Sequence, residues 1–146
     1  KLPYFISKEC VIKPISQMSG YEPDVIVLDE HNIKDNPRWE RESIITLGLS
    51  ARLVIEVVST NWHDDYALKL DSYEAMGIPE YWIVDYLGLG GRRYIGNPKQ
   101  PTISVCQLID SEYQINLFRG SDKIHSKAFP DLMLTVEQIF TAVYIN

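Results

Sequence analysis

The chain has 146 residues, 45% of them hydrophobic and 23% charged, and a formal net charge of −6. That length suits one domain with a real core, and the acid excess argues against a broad non-specific nucleic-acid surface. No apolar run approaches the ~18 residues of a membrane span, and no signal-peptide pattern opens the chain, which begins at Lys1.

In chain order, "YFISKECVIKPI" alternates loosely and is expected to form a strand with Pro14 near its end. A turn at Ser19-Gly20 precedes a short strand from Asp24 to Leu28. "HNIKDNPRWERESIITLGLS" is polar and poorly periodic, so it reads as a surface excursion with one short helix. A strand from Arg52 to Ser59 follows.

"NWHDDYALKLDSYEAMG" has the helical period, with Tyr66, Leu70, Tyr73 and Gly77 on one stripe and Asp64, Asp71 and Glu74 pointing away. Thr60 or Asn61 can cap its start, Asp64-Asp65 suits the positive end of the dipole, and Gly77 is a natural terminator. "PEYWIVDY" is a third apolar strand. The order strand, helix, strand from Arg52 to Tyr86 predicts a parallel pair joined by a crossover.

Past "LGLGG", the segments "RRYIG", "TISVCQLI" and "EYQINLF" read as antiparallel strands, with Asp110-Ser111 as a tight turn between the last two. A final helix begins near Thr135. Thr135 and Gln138 form a capping box, and Val136, Ile139, Phe140 and Val143 make its buried stripe. The fold class is α/β: a mixed sheet with helices against it.

Cys10 and Cys106 sit in apolar settings and read as two buried free thiols, as a reducing cytoplasm would keep them. His31, His63 and His125 share no metal-ligand spacing with each other or with the cysteines, which argues against a zinc site. Acid is concentrated mid-chain: Tyr21 to Gly90 holds 14 Asp/Glu against 5 Lys/Arg. Most of these residues read as a solvated face. Two do not.

Glu56 lies inside "LVIEVVST", an otherwise apolar strand. An ionised carboxylate there is costly unless it is paired, hydrogen-bonded or bound to a metal. Alternation puts Val54, Glu56 and Val58 on one face and Leu53, Ile55 and Val57 on the other. Asp24 holds a similar place on the preceding strand. Two neighbouring carboxylates, with the backbone carbonyl of Val57, could hold Mg²⁺ or Mn²⁺. On the helix, Lys69 lies about 60° from the centre of the buried stripe. From there it could reach back to the carboxylates, or pair with Asp65 one turn earlier.

"EPDVIVLD", "RLVIEVVST", "KLDSYEAMGIPEYWIVDYLG" and "RRYIGNPKQPTISVCQL" together resemble the Uma-two family. That family, once a domain of unknown function, belongs to the restriction-endonuclease-like PD-(D/E)xK nucleases. The resemblance runs from about Gly20 to the last helix. It implies a restriction-endonuclease-like core and a metal-dependent endonuclease acting on DNA phosphodiesters. It matches Asp24 to the "PD" acid and Glu56 to the "(D/E)xK" acid. Val58 stands where the catalytic lysine of the general signature would be; in the Uma-two pattern the following helix carries it, and Lys69 matches. Family members also usually have an N-terminal helical segment with a further acid; nothing here matches it, so that segment is expected to be missing from this single domain, residues 1–146.

On this reading Asp24 and Glu56 hold the metal, and Lys69 stabilises the transition state or positions water. Arg92, Arg93, Lys123 and Lys127 are candidates for contacts to the DNA backbone. Cleavage of both strands favours a homodimer, and nothing calls for a small organic cofactor or a membrane. Two rivals remain at the level of sequence. One is a non-catalytic member of the fold that binds nucleic acid or protein. The other is a glycosidase using Asp24 and Glu56, with Trp39, Trp62 and Trp82 lining a sugar cleft.

Overall fold

The computed structural model describes residues 1–142. Six strands form one mixed sheet in the order β1 (Tyr4–Ile6), β3 (Val25–Asp29), β5 (Ala51–Val57), β6 (Glu80–Asp85), β7 (Thr102–Ile109), β8 (Glu112–Phe118). Two short strands, β2 (Val11–Ile12) and β4 (Ile44–Ile45), pair parallel to each other outside it. Within the large sheet β5 and β6 are parallel, with Val54 opposite Tyr81 and Val57 opposite Val84. The other neighbours run antiparallel.

The predicted strand, helix, strand unit is present, and its helix begins at Trp62, directly after the expected start. Residues Asp64–Leu68 form a wide π turn that leads into α2 (Lys69–Met76), and neither Thr60 nor Asn61 caps it with a side chain. Gly77 ends α2 in the left-handed region at φ 81°, where Gly77 N–H and Ile78 N–H close back onto Glu74 O and Tyr73 O. Glu74 does not simply face water: its carboxylate accepts the Tyr113 N–H at 2.7 Å.

Two predicted strands are corrected. "YFISKECVIKPI" is not one strand but two, β1 and β2, which go to different sheets. Alternation reports which face a residue takes, not which neighbour its backbone finds. "RRYIG" is a single helical turn, α3 (Arg92–Ile95), set between Gly91 and Gly96 and anchored by fully buried Ile95. Four residues are too few to carry a period. The polar excursion contains two 3₁₀ turns (Asn32–Asp35 and Gly48–Ser50) and the one short helix expected, α1 (Trp39–Glu42).

At the C-terminal end, α4 (Val136–Ala142) carries the expected capping box. The Thr135 N–H donates to Gln138 Oε1 at 2.9 Å, and the Gln138 N–H to Thr135 Oγ1 at 3.2 Å. Val136 is buried, while Val143 lies outside the described residues. Cys10 and Cys106 are free and buried, and burial pushes both thiols up to about 12.

The sheet separates two hydrophobic clusters, as the alternation in β5 requires. Ile26, Val54, Val58, Tyr81 and Ile83 join Tyr66 and Tyr73, which project from the π turn and α2, on one face. Val27, Leu53, Trp82, Val84 and Val105 meet Ile124 and Val136 on the other. Glu56 belongs to the first face. Among the described residues no helix is long and apolar enough to cross a membrane.

Candidate active site

The antiparallel register of β3 and β5 sets Val25 opposite Ile55. One step further, Asp24 therefore comes level with Glu56. Their backbones and side chains lock reciprocally: the Val57 N–H donates to Asp24 Oδ2 at 2.7 Å, and the Asp24 N–H donates to Glu56 Oε1 at 3.1 Å. Pro23, which cannot donate, immediately precedes this exchange. Asp24 is exposed and Glu56 is 1% exposed, so the pair leads from solvent into the core.

The deep oxygen of Glu56 is served by α2. Tyr73 Oη donates to Glu56 Oε2 at 2.8 Å, and Lys69 Nζ lies 3.3 Å from the same oxygen. Lys69 also donates to Asp65 Oδ1 at 3.0 Å. Both sequence alternatives for Lys69 are thus realised at once: it pairs with Asp65 and reaches the strand carboxylate. Val58, at the usual lysine position, is buried in the apolar cluster.

Asp65 is the site residue that sequence reasoning passed over. It was legible as the i−4 partner of Lys69 and as an acid near a helix start, both ordinary surface roles. Instead it is 5% exposed, and its own carbonyl accepts the Tyr81 hydroxyl at 2.8 Å. The wide turn over Asp64–Leu68 carries it inward, and a π turn of this kind often marks a functional position.

Burial raises the pKa of Glu56, against the pull of Lys69, the Tyr73 hydroxyl and the Asp24 N–H. Burial likewise raises Asp65, opposed by Lys69 and reinforced by the negative charge of Asp24. Although burial works against it, the charges of Glu56 and Asp65 hold the Lys69 ammonium above its ordinary value. Glu56 and Asp65 thus share one ammonium ion, with Asp24 hydrogen-bonded beside Glu56. Such a site carries surplus negative charge that a divalent cation would neutralise.

The donor set fits a cation of that kind in part. Asp24 Oδ1 accepts no hydrogen bond among the described residues, and Asp24 is the exposed member of the pair. Among those residues, however, no three His, Cys, Asp or Glu side chains converge as a ready-made metal cluster. Two carboxylates with remaining positions left to water suit Mg²⁺ better than a closed protein cage would.

The predicted cations separate. Arg92 and Arg93 are exposed on α3, after the C-terminal end of β6, at the end of the sheet where β5 also finishes. Lys123 and Lys127 flank Ile124, which packs on the opposite face of the sheet from Glu56. The three tryptophans also scatter. Trp82 is buried on that opposite face, Trp39 packs near Phe5, and Trp62 contacts Tyr66 and Tyr94. They line no common cleft, which removes the support for a sugar site.

A six-stranded mixed sheet flanked by helices is the architecture of a restriction-endonuclease-like fold. The chain belongs to the Uma2 family: the family model described as "Putative restriction endonuclease" matches residues 1–137. No curated protein matches the chain.

Proposed function

We propose that the protein is a metal-dependent endonuclease that hydrolyses phosphodiester bonds in DNA. The observation that supports this reading is the contact of Lys69 with Glu56, which is itself joined to Asp24 by the Asp24 N–H bond, so that the three residues lie together. Asp24 and Glu56 would hold Mg²⁺ or Mn²⁺, with the backbone carbonyl of Val57 as a further oxygen donor. The chemistry such a cation supplies when bound is polarisation of a phosphate and acidification of a water molecule.

The chain's own residues do the rest. Tyr73 Oη and the Asp24 N–H fix the Glu56 carboxylate in one orientation. Lys69 presents a positive charge where negative charge develops on the phosphate, or orients the attacking water. Asp65 is a positioning residue that keeps Lys69 turned inward. Arg92 and Arg93, at the rim where β5 and β6 end, are assigned to DNA-backbone contacts. Cutting both strands calls for two sites and so for a homodimer.

Purified protein should nick supercoiled DNA in Mg²⁺ or Mn²⁺, with Glu56→Gln and Lys69→Ala each lowering the rate at least 100-fold. Calorimetry should detect Mn²⁺ binding that Glu56→Gln weakens. If the protein bound DNA but neither bound metal nor cut any DNA form, it would be a non-catalytic member of the fold.

A further inference from the structure

The two edges of the large sheet are unlike. β1 is three residues long, whereas β8 is seven. β8 pairs with β7 without a bulge, from Ile109 opposite Glu112 to Ile103 opposite Phe118. Between Tyr113 and Phe118 it has no charge, proline or glycine. Proteins usually protect a long edge with such residues, because its unpaired backbone groups can template another strand.

The hairpin fixes which backbone groups face outward. Asp110 and Ser111 have φ 52° and 67°, the two positive values of a tight two-residue turn. Residues flanking that turn exchange hydrogen bonds, so Glu112, Gln114, Asn116 and Phe118 direct their backbone groups to β7. Tyr113, Ile115 and Leu117 direct theirs away. The Tyr113 N–H agrees, since it bonds to Glu74 of α2. At the other end the Arg119 N–H bonds to Asp122 Oδ2 at 2.9 Å. Between these two closed positions, the outward groups of Ile115 and Leu117 find no partner among the described residues. Their side chains are 47% and 36% exposed.

We propose that β8 is a dimer seam, and that its occupant is β8 of a second copy, running antiparallel with Asn116 on the two-fold axis. Ile115 of each copy then lies opposite Leu117 of the other, and the pairing forms four backbone hydrogen bonds. Symmetry allows few alternatives. A two-fold axis perpendicular to a sheet preserves its faces, so only residues of the same parity can oppose each other. Centring on Ile115 would need the Tyr113 N–H, which Glu74 holds. Centring on Leu117 would need the Arg119 N–H, which Asp122 holds. The Asn116 register uses only the free groups.

The seam deepens the homodimer invoked for two-strand cleavage, although its geometry does not depend on the reaction. Glu56 is opposite Ile83, Ile83 opposite Ser104, and Ser104 opposite Leu117. Both copies' carboxylate pairs would therefore belong to one face of a continuous twelve-stranded sheet.

Light scattering on the eluting wild-type protein should give twice the chain mass at micromolar concentration. Leu117→Lys should give the monomer mass with an unchanged circular-dichroism spectrum. With oxidised glutathione, Asn116→Cys should form a covalent dimer at least tenfold faster than Gln114→Cys. In this register two Asn116 positions face each other at the close, non-hydrogen-bonded spacing of about 4.5 Å between Cα atoms. Two Gln114 positions lie about 13 Å apart along the strands. A monomeric wild-type protein at 100 µM, or equal crosslinking at both positions, overturns the seam. Loss of nicking with the dimer intact would count against the reaction instead.

Discussion

Glu56 and Glu80 lie in neighbouring strands and are each 1% exposed, yet they keep opposite company. Glu80 points to the face of the sheet away from Glu56. There Trp82 Nε1 (2.8 Å), Ser126 Oγ (2.5 Å) and the Lys127 and Ala128 N–H groups (2.8 and 3.2 Å) all donate to it. Every donor is neutral, the shell is nearly closed, and three of them tie the segment after β8 to the sheet. Glu56 instead faces a lysine, a tyrosine and a second carboxylate that opens to solvent. Burial alone therefore does not tell a candidate catalytic carboxylate from a structural one. What separates the two is whether the partners leave charge and lone pairs unspent.

The largest expected effect breaks the structural member of the pair. Glu80→Ala leaves two backbone N–H groups, an indole N–H and a hydroxyl without an acceptor, and should destabilise the fold by about 3 kcal/mol in urea unfolding.

Glu56→Gln should behave differently, leaving stability unchanged or higher by about 1 kcal/mol while the activity is lost. The pH dependence sharpens this contrast. The folded pKa of Glu56 lies above its ordinary 4.5, and that of Asp65 above 3.8, so folding favours their protonated forms. Their contribution to stability is complete below those ordinary values and is lost as pH rises through the raised ones. Lys69, held above 10.5, keeps its contribution until pH rises past that value. Unfolding curves from pH 4 to 8 should therefore slope less steeply downward for Glu56→Gln than for the wild type. An identical slope would mean that Glu56 does not titrate in this range.

The smallest effect lies far from both carboxylates. Thr135→Ala removes half of the capping box of α4 and should cost about 1 kcal/mol, with no change in metal binding.

Much of the site was legible in the sequence because its residues violate local expectation. Glu56 interrupts a β-branched run, and a carboxylate in such a place needs a partner. Asp24 follows a proline at the start of a strand, and Lys69 falls on the margin of a helical stripe. Asp65 violated nothing, since an acid beside a helix start is ordinary; only its burial reveals it. Glu80 opens an apolar strand and raised no question, although it holds two layers together.

By itself the sequence determined the strand, helix, strand unit, the alternation that sends Glu56 inward, the hairpin at Asp110-Ser111, and the capping box. Each depends on neighbours within a few positions, where propensity and periodicity act. Only the tertiary structure decided that β1 and β2 join different sheets, that "RRYIG" turns as a helix, and that Lys69 meets Glu56 as well as Asp65. Those outcomes depend on which distant backbone groups pair and which cavities remain to be filled. Local chemistry proposes several answers to such questions, and packing selects one.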